Sequence, residues 1–168
     1  TDQIVALTTA QASSLNTAQI SSFTTQQVNK LTTTNTTALT TSQIKALGSA
    51  QIAAMTTDQI NNLTSAQVQS LSTAGISSIT TANIALLTTT TISNLSTAQI
   101  QALSSSQFAN LTTGDIAALT STQYAALTTK QIMGLDVTRV LTLFGGTSVS
   151  TKISSLPPNA LTKLTATN

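Results

Sequence analysis

Large apolar residues recur every eight positions along most of this chain, in two phases. The first phase begins at Leu7 and continues through Leu15, Phe23, Leu31, Leu39, Leu47, Met55 and Leu63 to Leu135; all seventeen of its positions are large and apolar. The second runs from Ile4 to Val140, and sixteen of its eighteen positions are large and apolar, with Ala12 and Thr36 the exceptions. The repeating unit reads Leu-Thr-Thr-Ala-Gln-Ile-x-x, numbered here from one to eight. The core candidates are Leu7, Leu15, Ile20, Phe23, Ile44, Leu47, Ile52, Ile60, Leu63, Ile100, Leu103, Ile116, Leu119, Ile132 and Leu135, with their counterparts in the other octads. A fixed short period is the signature of a repeat architecture.

The polar positions say how each octad folds. Position two is Thr, Ser, Asn or Asp in sixteen of seventeen copies, and position five is Gln in twelve of eighteen. A hydroxyl followed three residues later by Gln is a capping box, in which each side chain satisfies the other residue's backbone N–H. The Leu before the cap and the Ile four residues beyond the Leu-Thr corner complete a hydrophobic staple. The cap candidates include Thr8 with Gln11, Thr40 with Gln43, Thr56 with Gln59 and Thr64 with Gln67, and Asp136 takes the cap place in the last regular octad. Each octad is therefore expected to hold one helix of about six residues, from position three to position eight, closed by the next Leu.

One continuous helix is excluded by its own geometry. Eight residues at about 100° each leave a drift of about 80° per octad, so the Leu stripe would circle the helix with nowhere to be buried. A β-solenoid is the rival: Thr favours strands, and short repeats form parallel β-helices. Positions one and six differ in parity, however, and would face opposite sides of a strand. Only six glycines are available for corners. The expected fold is an all-α, short-helix solenoid. Burying two aliphatic side chains does not cover the entropy of ordering eight residues, so octads are expected to stack. Positions four and eight are mostly small, which suits close packing of adjacent turns. The sequence leaves the number of octads per superhelical turn open.

Regularity ends after Val140. Leu143-Phe144-Gly145-Gly146 reads as a turn or loop. The pairs Ile153/Leu156 and Leu161/Leu164 follow, out of phase and separated by Pro157-Pro158. Residues 1–143 are read as the solenoid and 144–168 as a degenerate C-terminal cap or junction, which hides the last apolar layer. Residue 1 falls in mid-repeat without an initiator Met, so the chain reads as a piece of a longer or processed protein, with no signal peptide in view.

Composition narrows the chemistry. Only 6% of residues are charged and the formal net charge is +2, against roughly 25% charged residues in an average domain. Six cations spread along 168 residues form no phosphate-binding stripe, and four scattered aromatics form no base-stacking platform. Nucleic acid is an unsuitable partner. There is no His and no Cys, which removes the common zinc ligands, thiol chemistry and imidazole bases. No apolar run approaches the ~18 residues of a membrane span, so membrane insertion is not expected. No catalytic, cofactor-binding or metal-binding residue can be nominated, and no cofactor is expected.

The singular residues have plain roles. Asp2, Asp58, Asp115 and Asp136 all stand at helix starts, where a carboxylate complements the unpaired N–H groups. Lys30, Lys45, Lys130, Arg139, Lys152 and Lys163 read as solvated surface charges. Phe23, Phe108 and Tyr124 fall in core positions. Thr36, in a core slot within a Thr-rich stretch, marks a weak repeat and a local flexible point, and Gly75 interrupts one capping box. Paired hydroxyls at positions two and three recur octad after octad. They serve capping and uncharged solubility; O-glycosylation and a Thr lattice matching ice are the alternative uses.

The run from Leu95 to Leu103 (Leu-Ser-Thr-Ala-Gln-Ile-Gln-Ala-Leu) and its many variants here resemble the octapeptide tracts of very large bacterial secreted and cell-surface proteins. The likeness covers residues 1–143. It implies extracellular scaffolding or adhesive material and carries over no active-site residue. The expected function is a non-enzymatic extracellular structural repeat protein, a self-assembling filament, sheath or matrix subunit. The alternatives are a stalk or spacer in a large adhesin, and a Thr-rich surface that meets glycan or ice. Expected partners are further copies of the chain or other surface proteins.

Overall fold

The structure is a computed structural model and describes residues 2–144. Among the described residues eighteen helices follow one another, one per octad. The first nine are α1 (Asp2–Val5), α2 (Thr9–Ser14), α3 (Thr17–Ser21), α4 (Thr25–Lys30), α5 (Thr33–Ala38), α6 (Thr41–Ala46), α7 (Ser49–Ala53), α8 (Thr57–Asn61) and α9 (Ser65–Ser70). The rest are α10 (Thr73–Ser78), α11 (Thr81–Ile84), α12 (Thr89–Asn94), α13 (Thr97–Ala102), α14 (Ser105–Ala109), α15 (Thr113–Ala117), α16 (Ser121–Ala125), α17 (Thr129–Met133) and α18 (Val137–Phe144). No strand occurs among the described residues, so the β-solenoid alternative is set aside.

The helices are short because both ends are closed by the sequence. Thr8 is extended at φ −77°, ψ 160°, its hydroxyl accepts from the Gln11 N–H, and Gln11 caps it in return. Thr40, Thr56 and Thr64 do the same with Gln43, Gln59 and Gln67. At the other end Leu15 leaves the helix at φ −60°, ψ 137° while its N–H donates to the Ala12 carbonyl. Two consecutive extended residues, Leu then cap, therefore make each corner. Both lie in regions open to any L-residue, and no residue among those described has a positive φ. The corner needs no glycine, which explains why so few are present.

Helices pack on those three places away along the chain: α2 on α5, α3 on α6, α6 on α9, α14 on α17. About three octads thus complete one turn of a spiral, which answers the question that the sequence left open. Among the described helices every pair three apart packs this way, α8 and α11 less closely than the others but joined by the Thr57 hydroxyl and the Asn83 side chain. Positions one and six line the continuous core, with Ile20, Ile44, Ile52, Ile60, Ile100, Ile116 and Phe108 almost wholly buried. Leu7, Leu15, Phe23 and Leu135 pack against that core but are only partly buried. The first three belong to the first described turn, on which another turn packs from one side only.

The C-terminal reading needs one correction. Phe144 ends α18 and Leu143 is buried within it, so this pair continues the helix instead of opening a loop. The apolar periodicity of Val137, Val140, Leu141 and Phe144 is helical. The proposed cap otherwise falls in residues 145–168, outside the described residues, as do Lys152 and Lys163.

Candidate functional site

The feature that recurs throughout the molecule is the joint between turns, and the position-five glutamine makes it. The Gln43 Oε1 accepts from the Thr40 N–H at 2.6 Å. Its Nε2 points the other way and donates to the carbonyl of Leu15 at 2.6 Å and of Ala12 at 3.0 Å, 28 and 31 residues back. One side chain therefore caps its own helix and ties it to the turn beneath. Gln51 does the same to Phe23 and Ile20. Gln59 bridges to Leu31 and Val28, and Gln99 to Leu71 and Val68. Gln107, Gln123 and Gln131 continue the series.

The bridged carbonyls lie at a helix C-terminus: the position-one carbonyl has no other hydrogen bond among the described residues, and the position-six carbonyl also accepts from the N–H of the Leu that closes the helix. The bridging side chains are buried, Gln59 and Gln131 to 1% exposure, so each bridge acts away from water, where an unmade bond is costly. Among the described residues no buried side-chain nitrogen or oxygen lacks a partner. In the first described turn Gln11 and Gln19 close their capping boxes and remain exposed.

Departures from Gln show what the position requires. Asn35 keeps the bridge, its Nδ2 donating to the Leu7 carbonyl at 2.8 Å, but forms no reciprocal cap. Arg139 also keeps it, with Nε donating to the Leu111 carbonyl at 2.6 Å. Its guanidinium pairs with the Asp136 carboxylate as well. Arg139 is thus a partly buried bridge, a correction to its reading as a solvated charge. Lys30, Lys45 and Lys130 are exposed. The Arg139 backbone N–H is the main cause that holds the Asp136 carboxyl below the usual carboxylate range; desolvation opposes it, and the hydrogen bond and charge of the Arg139 side chain add to the lowering. Asp115 keeps the cap, accepting from the Thr112 N–H at 2.9 Å and hydroxyl at 2.7 Å. It has no donor to send to the turn beneath.

One full turn, α10 to α12, has no Gln at position five: Gly75, Asn83 and Thr91 stand there. Each site is handled differently. A Cβ on Gly75 would collide with the Ile52 Cδ1, so the absence of a side chain lets α10 settle onto α7 in the most extensive helix contact of the spiral. At Thr91, Asn61 reaches up from the turn beneath. Its Oδ1 accepts from the Thr88 N–H at 2.9 Å and the Thr91 hydroxyl at 3.1 Å, and its Nδ2 donates to the Leu86 carbonyl at 3.1 Å. At Asn83 the side chain is too short for both tasks. Its Oδ1 meets the Thr57 hydroxyl at 3.4 Å, and no bond reaches Met55, 28 residues back. Here α8 and α11 approach less closely than the other pairs three apart.

The remaining nominated residues hold structural places. Phe108 and Tyr124 are buried, and the Tyr124 hydroxyl donates to the Ile116 carbonyl at 2.6 Å. Thr36 is 1% exposed and donates to the Thr32 carbonyl at 2.9 Å within a full-length α5. The described residues contain no cluster of acids suited to a metal ion and no helix long and apolar enough to cross a membrane. The sequence reading missed the second task of Gln. The signal was present: every acid in the chain is Asp and none is Glu, although a capping box accepts Glu as readily as Gln.

Against known families, the model of the ALTTAQ repeat matches residues 1–33, 36–65 and 78–113. No curated protein and no solved structure matches the chain.

Proposed function

We propose that this chain, which belongs to the ALTTAQ repeat family, is a non-enzymatic structural protein that assembles by adding turn upon turn. The observation that carries this reading is the self-similarity of the joint. Turns that carry Gln at position five offer Nε2 donors on one edge and helix-end carbonyls on the other, so such turns are complementary to one another. An interface of that head-to-tail kind extends without closing on itself. The near absence of charge removes the repulsion that would oppose such stacking. An extracellular, bacterial setting follows from the likeness of the octads to surface-protein tracts, and the copies themselves are the partners.

Electron microscopy of the purified chain over a range of concentrations tests the proposal. Ordered filaments whose axial repeat matches the spiral support it. Isolated short rods at every concentration overturn it and leave the stalk or spacer reading, which uses the same joint within one chain only.

A further inference from the structure

Position five ties a helix inside the spiral on two sides: its own side chain reaches the turn beneath, and a side chain of the turn above reaches it. α13 shows the full pattern. Gln99 donates to the Leu71 carbonyl, and Gln131 from above donates to the carbonyls of Ile100 and Leu103. α11 has neither tie. Its own Asn83 sends no bond to the Met55 carbonyl, and above it Asp115 has no donor for the carbonyls of Ile84 and Leu87. From α5 to α14 every other helix keeps at least one such tie.

The same octad is weak in its local structure. α11 is a single turn of four residues, and the Thr80 hydroxyl caps the Asn83 N–H at 3.2 Å without a reciprocal bond. Leu86, just beyond it, is 65% exposed, the most exposed large apolar residue among those described. The octad is held by the burial of Ile84 and Leu87, by the Asn61 bond to the Leu86 carbonyl at 3.1 Å, and by the Thr57 contact with Asn83 at 3.4 Å. Its flanks are firmer. α10 fits closely against Ile52 at Gly75 and is bridged from above by Gln107. α12 is held from beneath by Asn61 and from above by Gln123.

We propose that residues 80–87 open locally while the rest of the spiral stays folded, and that an endoprotease first cuts the regular spiral here. A protease cleft takes extended chain, so a helical segment is cut through its open state, in proportion to how often it opens. In a stacked repeat the bonds to neighbouring turns set that frequency, and in this octad they are fewest. The inference concerns a single chain and holds for a filament or a stalk alike.

The test is limited proteolysis of the full chain with thermolysin, which cuts before large aliphatic residues. Nearly every octad offers such bonds, so the place of the first cut between α5 and α14 reports local opening and not side-chain preference. Mass spectrometry should place it before Ile84, Leu86 or Leu87. Asn83→Gln/Asp115→Gln, which supplies both missing ties, should slow this cut about tenfold or more and leave cuts elsewhere in the spiral unchanged. Amide exchange gives an independent reading. The Leu87 N–H, bonded to the Ile84 carbonyl at 3.2 Å, should be about tenfold less protected than the Leu103 N–H, bonded to the Ile100 carbonyl at the same distance. Its protection should also be nearly insensitive to low urea, because a local opening exposes little surface. A first cut elsewhere between α5 and α14, an unchanged rate in the double variant, or equal protection of Leu87 and Leu103 would each overturn the proposal.

Discussion

The Nε2 of Gln99 donates to the Leu71 carbonyl at 2.8 Å, across the boundary between two turns, while its Oε1 accepts from the Ser96 N–H at the same distance. A capping residue has become a joint, and the two tasks use opposite ends of one amide. Glu can perform the first and not the second. Gln99→Glu would set a carboxylate against the Leu71 and Val68 carbonyls in a buried place. We expect a loss of about 2–4 kcal/mol, beyond the cost of an unmade neutral bond because a charge is desolvated. Gln99→Met, which leaves the carbonyls unbonded without adding charge, should cost less. Urea unfolding of both variants checks this, and a neutral Gln99→Glu would mean that the bridge carries no stability.

Asp115 presents the reverse case. It is 1% exposed and caps its helix, with nothing to give the turn beneath. Asp115→Gln should install the missing bridge toward Leu87 and raise stability by about 1 kcal/mol. A shift of the unfolding midpoint in the opposite direction would show that the α12–α15 spacing does not admit the amide.

Gly75 sits inside a helix, where Ala is ordinarily preferred by about 1 kcal/mol. Here the preference should invert. A methyl at this position meets the Ile52 Cδ1, and overpacking costs about 1–3 kcal/mol. Ile52→Val removes that carbon. In the double variant Gly75→Ala/Ile52→Val the penalty should shrink, giving a coupling energy of about 1 kcal/mol by a mutant cycle. Additive single effects would refute the contact as the cause.

Asp136 supplies the pH dependence. Its carboxyl lies below the ordinary carboxylate range in the folded chain, first through the Arg139 backbone N–H. A lowered folded value means that its contribution is present above the unfolded value of about 3.9 and is lost as pH falls through the folded one. The protection of the Val140 amide, whose N–H donates to the Asp136 carbonyl at 2.9 Å, should fall relative to the intrinsic exchange rate below about pH 4. Exchange at Ile20, capped by the neutral Asn16, should show no such step beyond the intrinsic rate.

The octad, its capping box and its staple were legible because they are local: each involves residues within a few positions of one another, as in Thr56 and Gln59. The spiral's turn was not. Whether α6 meets α3 or some other helix is set by the extended angles of Leu47-type and Thr40-type corners, and no residue type encodes those angles. The missing bridge at Asn83 was hidden for a related reason. Asn83 reads as a tolerated variant of Gln until Met55, four corners earlier in the spiral's path, is known to lie beneath it. Arg139 was misread because its charge drew notice ahead of its place in the octad, where it reaches Leu111 as Gln would.

The two offsets of the joint have a mechanical consequence. A helix such as α6 rests on α3, but its Gln43 ties it to Ala12 and Leu15, at the end of α2. Each octad that makes this bridge therefore straddles two octads of the course beneath, as bricks do in a wall laid with staggered joints. A pull along the axis cannot find a straight seam to part: loosening one corner loads its two supporters before the next corner is reached. The bond pattern is interrupted at Asp115 and along the course laid by α10 to α12, where the close fit at Gly75 and the bonds of Asn61 mortar two of the three places.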